Sequence, residues 1–182
     1  MKKIVLKFGL ISGALLAAAL FGTMPFADKI GFDKGMIVGF TSMILAFLLI
    51  FFGVRSYREN VSNGEISFPA ALGVGVLIML VGTLCYVVAW EIVYFNFMPD
   101  FFEKYSAYLL TQMKSSGASA QSIEAQRQTL ALMGQRYRNP IWNAAYTFLE
   151  PMPVGIPITV LSAIILRRKP RSLNGSEQLA SS

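Results

Sequence analysis

Two carboxylates stand inside long apolar runs, Glu91 and Glu150, and they are the residues whose type and placement could do chemistry. A carboxylate near a bilayer centre is costly, so it rarely faces lipid and often serves a function. Glu150 heads the run Glu150-Pro151-Met152-Pro153-Val154-Gly155-Ile156-Pro157. Three prolines so close together remove amide donors and disturb the carbonyls one turn back, so a regular helix is not expected there. In lipid, irregular backbone must be covered by protein or face a watery cavity. Two readings follow: a structural kink at Pro151, Pro153 and Pro157 with Glu150 paired to Arg136 or Arg138, or a path for a solute or proton at a broken span. Counted along its helix from Ser67, Glu91 lies roughly 36 Å on, near an interface where Trp90 and Tyr94 suit an aromatic belt. Glu150 lies roughly 25 Å from Arg167 and sits deeper.

Gly9, Gly13 and Ala17, then Gly35 and Gly39, then Ala71 and Gly75, repeat at intervals of four. That spacing lets helix backbones approach closely, and in lipid such packing is a main source of association. It reads first as packing within the bundle and second as a seam between copies. Arg55 and Arg58 share a helix face, where they anchor topology or hold an anionic headgroup. Ser12, Thr41, Ser42 and Thr83 can satisfy neighbouring backbone groups. The chain has no histidine and a single cysteine, Cys85. No metal-ligand or nucleophile–base constellation therefore forms, no cofactor is expected, and an intramembrane enzyme finds no support.

These residues need long apolar elements to position them. Of the 182 residues 54% are hydrophobic and only 14% charged, against about 25% charged in soluble domains. The charges gather at the ends and in the connecting segments. Such segregation predicts an all-α integral membrane protein, a four-helix transmembrane bundle forming one domain over 1–168. The expected spans are 4–26, 35–54, 68–98 and 141–166, each long enough for a ~30 Å hydrocarbon core. Span one also resembles a secretory signal peptide, with a cleavage region at Ala17-Ala18-Ala19. The apolar run continues past it, so a retained helix is expected.

Between spans one and two, 27–34 reads as a linker, and Asn63-Gly64 marks a turn after span two. Ser67 and Pro69 mark the start of span three. The segment 99–139 predicts an extracytoplasmic helical hairpin broken at Ser115-Ser116-Gly117. Its first helix repeats Phe101, Phe102, Tyr105, Tyr108 and Leu109 on one face and could lie on the membrane surface. Its second carries Ile123, Leu130, Met133 and Tyr137. The tail 169–182 is rich in Ser, Asn and Gly and reads as disordered.

The net charge of +6 does not imply a nucleic-acid partner, because the cations flank apolar runs where they meet lipid headgroups. Lys and Arg are denser around the two termini and the 55–67 loop than on the opposite side. The positive-inside rule then places both termini in the cytoplasm. The expected partners are the lipid bilayer and a second copy or another membrane protein.

The run Phe51-Phe52-Gly53-Val54-Arg55-Ser56-Tyr57-Arg58, followed by Asn63-Gly64-Glu65-Ile66-Ser67-Phe68 and Ala70-Ala71-Leu72-Gly73-Val74-Gly75, resembles a bacterial group of four-helix membrane proteins catalogued only as a domain of unknown function. The likeness covers roughly residues 4–168. It implies an inner-membrane location and four spans, and it supplies no catalytic or ligand residues. The functional expectation is a non-enzymatic structural or accessory membrane component. The alternative is a small transporter or channel with a cavity centred on Glu150.

Overall fold

The computed structural model describes residues 1–168; the tail expected to be disordered lies outside them. Helix α1 runs Lys2–Thr23. Its last turn is closed by the Thr23 hydroxyl, which donates back to the Ala19 carbonyl at 2.8 Å. A 3₁₀ turn, Met24–Phe26, with proline in its first positions, leads into α2, Ala27–Asn60. The expected linker 27–34 is thus mostly helical. The chain is broken within α2 only at Gly31, whose φ of 70° is open to glycine and strained for other residues. α2 also outruns the expected Val54. Charges end an apolar run without ending a helix, and Arg55 pairs with Glu59 one turn on at 2.9 Å.

Asn63 and Gly64 turn the chain with positive φ, as their types predict. The Ser67 side chain then accepts from the Ala70 amide and caps α3, Phe68–Phe97, with proline in its first turn. The last apolar stretch falls into two helices, α6 (Pro140–Leu149) and α7 (Met152–Leu166), bent by 40°. The break is confined to Glu150 and Pro151, where the expected irregularity extended to Pro157. Pro153 falls in the first turn of α7, whose amides have no helical acceptor in any case, and Pro157 is carried inside α7. Three helical stretches, Lys2–Phe26, Lys29–Asn60 and Phe68–Phe97, are long and apolar enough to cross a membrane, and the bent α6–α7 pair passes the same test when taken together.

α1, α2, α3 and α7 pack around a core of Phe47, Ile50, Val54, Val74, Ile78 and Ala163, all nearly inaccessible. Glycines set how closely they approach. A Cβ at Gly9 would lie 2.6 Å from the Val81 Cβ, and one at Gly13 only 2.4 Å from the Cys85 Cβ. Gly75 faces Thr159 Cγ2 at 2.8 Å by the same measure, and Ala71 is fully buried. Gly35 and Gly39 differ: among the described residues nothing lies within 4 Å of a Cβ at either, so the packing within the bundle expected from their spacing is absent there.

At the end where α1 begins and α7 stops, Ile66 and Arg168 exchange backbone hydrogen bonds of 3.2 and 2.9 Å and tie α7 to the α2–α3 loop. Arg58 Nη1 donates to the Leu166 carbonyl at 3.3 Å, a cation at a helix C-terminus where the dipole favours it.

At the opposite end, α4 (Phe101–Ser115) and α5 (Ala120–Tyr137) form an antiparallel pair joined through Gly117. The aromatic face of α4 is divided. Phe101, Tyr105 and Tyr108 gather on Phe32 of α2, with ring centroids 5.7, 5.6 and 5.1 Å away, while Phe102 turns to Tyr137 at 4.9 Å. Tyr108 also donates to Asp33, and that hydrogen bond raises the phenol above its ordinary range. α4 therefore docks on the start of α2 through the side chains that suited a membrane-surface helix.

Candidate functional site

One face of α3 carries Met79, Thr83, Tyr86 and Trp90, spaced by four, three and four residues as neighbours on a helix must be. That face meets α6 and α7. Low down, Met79 packs on Gly155, whose Cβ would lie 2.6 Å from the methionine sulfur. Higher, the Tyr86 hydroxyl donates to Glu150 Oε2 at 3.1 Å. At the top, the Trp90 indole donates to Asn143 Oδ1 at 3.0 Å.

Asn143 is a fully buried hub. Its amide nitrogen donates to the Tyr137 carbonyl at 3.0 Å, and the Thr147 hydroxyl donates to its Oδ1 at 3.3 Å. It therefore joins α3, the end of α5 and two turns of α6. Rings roof this cluster: Phe101 sits edge-on to Trp90 at 5.0 Å, and Tyr137 stands between Tyr94 and Tyr146. Burial, with the nearby Glu150 carboxylate adding to it, pushes the Tyr137 hydroxyl above the ordinary phenol range.

Glu150 itself occupies the joint between α6 and α7. Pro151, fully buried, has no amide to offer the Thr147 carbonyl, which is why the bend falls at this residue. Neither arginine weighed as its partner pairs with it. Arg138 takes Glu103 at 2.5 Å on an exposed surface, and Arg136 lies over the Trp142 ring at 5.4 Å. The sequence predicts a cation because a carboxylate at this depth needs compensation; the fold supplies a tyrosine hydroxyl from 64 residues away.

Glu91 is not drawn into the cluster, and its Oε1 is buried without a hydrogen-bond partner among the described residues. Trp90 and Tyr94, expected as an aromatic belt facing headgroups, are only 7% and 3% accessible and face protein instead. Of the hydroxyls expected to satisfy backbone, Ser12 donates across to the Ala46 carbonyl of α2 and Ser42 to Val38. Thr83 does not: its Oγ1 is buried and has no hydrogen-bond partner among the described residues. A shallow groove of about 380 Å³ lies apart from Glu150, lined by Tyr94, Phe95, Pro99, Asp100, Glu103 and Arg138. No three Asp, Glu, Cys or His side chains among the described residues come together to hold a metal ion.

Tyr86, Asn143 and Thr147 were not distinguishable in the sequence as site residues. The one available signal was that Asn143 is a polar residue one turn into a span, three after Pro140.

No curated protein and no solved structure matches this chain. A family model described as Protein of unknown function (DUF4199) matches residues 7–168, nearly all of the chain. That range contains all three apolar helices' cores, the α4–α5 pair and the Glu150 joint, and the chain belongs to the DUF4199 family.

Proposed function

We propose that the protein is a non-enzymatic accessory component of the bacterial inner membrane that works by association, with α2 near Gly35 and Gly39 as its contact face. In this reading α6–α7 is a fourth, bent span, both termini are cytoplasmic, and α4–α5 is an extracytoplasmic hairpin capping the bundle. The observation that carries it is the contrast between glycines of equal spacing. Gly9, Gly13 and Gly75 are occupied within the bundle, whereas Gly35 and Gly39 are open, among exposed Met36, Ile37, Val38 and Phe40. Small residues left bare on a membrane helix allow another helix to come close. Crosslinking in membranes should capture a second copy or another membrane protein. Gly35→Leu with Gly39→Leu should cut that yield about tenfold, which corresponds to ~1.4 kcal/mol, without altering monomer stability. A wild-type protein that is strictly monomeric, with no crosslinked partner, would defeat the reading.

A second reading, passage of a solute or proton past the joint, is supported by Glu150 having a hydroxyl rather than an arginine as its partner. It predicts that Glu150→Gln reduces flux in liposomes at least about tenfold, the scale expected for losing an essential proton-carrying group. Equal flux through wild type and variant rules it out.

A further inference from the structure

Pro151 and Pro153 have no amide hydrogens, so the carbonyls of Thr147 and Leu149 lack their regular helical donors. Val154 does not repair the joint either: its amide donates to the Pro151 carbonyl at 3.2 Å, as does that of Gly155 at 2.8 Å. Backbone oxygens freed inside a membrane helix require another partner.

Facing this joint is a hydroxyl with none. Among the described residues, the other buried serine and threonine hydroxyls each find an oxygen: Ser12 at 3.0 Å, Thr147 at 3.3 Å, and Thr159 and Ser162 at 2.7 Å. Thr83 is 0% accessible, yet its Oγ1 bonds to nothing. It lies one turn from Met79, which touches Gly155, and three residues before Tyr86, which touches Glu150. Helical spacing therefore turns it toward the segment 150–155 that holds the break.

The third contributor is charge. Glu150 is exposed at the open side of the joint; Tyr86 occupies its Oε2, and among the described residues no side chain donates to Oε1 and no basic group pairs with the carboxylate. The joint thus gathers one negative charge and several neutral oxygens, all hard donors. Divalent cations draw on more carboxylates than this, whereas carbonyls at broken membrane helices coordinate alkali ions. We infer that the α6–α7 joint binds a monovalent alkali cation through Glu150, Thr83 and the Thr147 and Leu149 carbonyls.

This goes beyond the association reading and needs neither a partner nor flux to be measured. The full chain, purified in detergent micelles, is unfolded by heat in sodium, potassium or choline chloride at equal ionic strength. The midpoint in sodium or potassium should exceed that in choline by about 5 °C, because an ion that binds only the folded state stabilises it by mass action. Thr83→Val should abolish the difference while leaving the choline midpoint unchanged or higher, since a methyl replaces an unpaired hydroxyl. Thr83→Ser, which keeps the oxygen, should retain the difference, and Glu150→Gln should lose it. Equal midpoints in all three salts overturn the inference, as does a Thr83→Val protein that keeps the full cation shift. A midpoint that responds to pH and not to the alkali ion identifies a proton in the carboxylate's service and overturns it equally.

Discussion

Gly13→Leu is expected to lower the unfolding midpoint of the detergent-purified protein by about 10 °C, whereas Gly39→Leu should leave it within about 1 °C of wild type. The two glycines are alike in local sequence character and in helix position, so helix propensity cannot separate them; replacing glycine should even favour both helices slightly. What separates them is the neighbour. Even a single Cβ at Gly13 would fall 2.4 Å from the Cβ of Cys85 and 2.8 Å from its sulfur, with the Gly82 carbonyl at 3.4 Å. No rotamer of Cys85 relieves a contact with its Cβ, so α1 must move away from α3 as a body. That movement also pulls Ser12 from the Ala46 carbonyl, a 3.0 Å bond beside the seam. Overpacking of this kind costs about 3 kcal/mol or more. Removing the opposing Cβ is the control: Gly13→Ala alone should destabilise, and Gly13→Ala with Cys85→Gly should recover at least half of the loss. A Gly13→Leu protein as stable as wild type would show that α1 and α3 do not meet at this seam.

Asn143→Leu is expected to be nearly as damaging, for a polar reason. Leucine fills a similar volume, but it leaves the Trp90 indole nitrogen, the Thr147 hydroxyl and the Tyr137 carbonyl without the partner they share. Each buried polar group left unsatisfied costs ~1–3 kcal/mol. Thr147 can turn to a carbonyl of its own helix, so two orphans remain and the expected loss is about 3–4 kcal/mol. Trp90→Phe removes one donor and leaves Asn143 with its other two bonds, so it should cost about 1 kcal/mol. Trp90 fluorescence in Asn143→Leu should shift as the indole loses its acceptor, and Trp142 is the only other tryptophan in the chain. Comparable midpoints for Asn143→Leu and Trp90→Phe would mean that Asn143 is not the hub joining α3, α5 and α6.

Segment character was legible in the amino-acid sequence because it is local. The apolar runs, the Ser67 cap, the Asn63-Gly64 turn, the break at Gly117 and the disruption at Glu150 each depend on a few adjacent residues and on backbone chemistry that travels with them. Where local reading erred, the error was also local: charges at 27–34 and 55–58 looked like helix ends, although lysine and arginine are good helix formers and only Gly31 bends the backbone.

Partnership was decided by the tertiary structure. Glu150 and Tyr86 are 64 residues apart, and Trp90 and Asn143 are 53 apart, distances over which residue types carry no record of who will meet. The need of Glu150 for compensation was evident; that a hydroxyl from α3 answers it, while Arg138 goes to Glu103, depended on how the helices pack. The same holds for the small residues, since Gly13 and Gly39 carry one spacing and only the presence or absence of α3 beside them gives it meaning. A broken fourth stretch with an acid at the break was therefore determined by the sequence alone. What surrounds that acid, Tyr86 above and the unpaired Thr83 hydroxyl turned toward the joint, was decided only when the bundle brought one face of α3 against it.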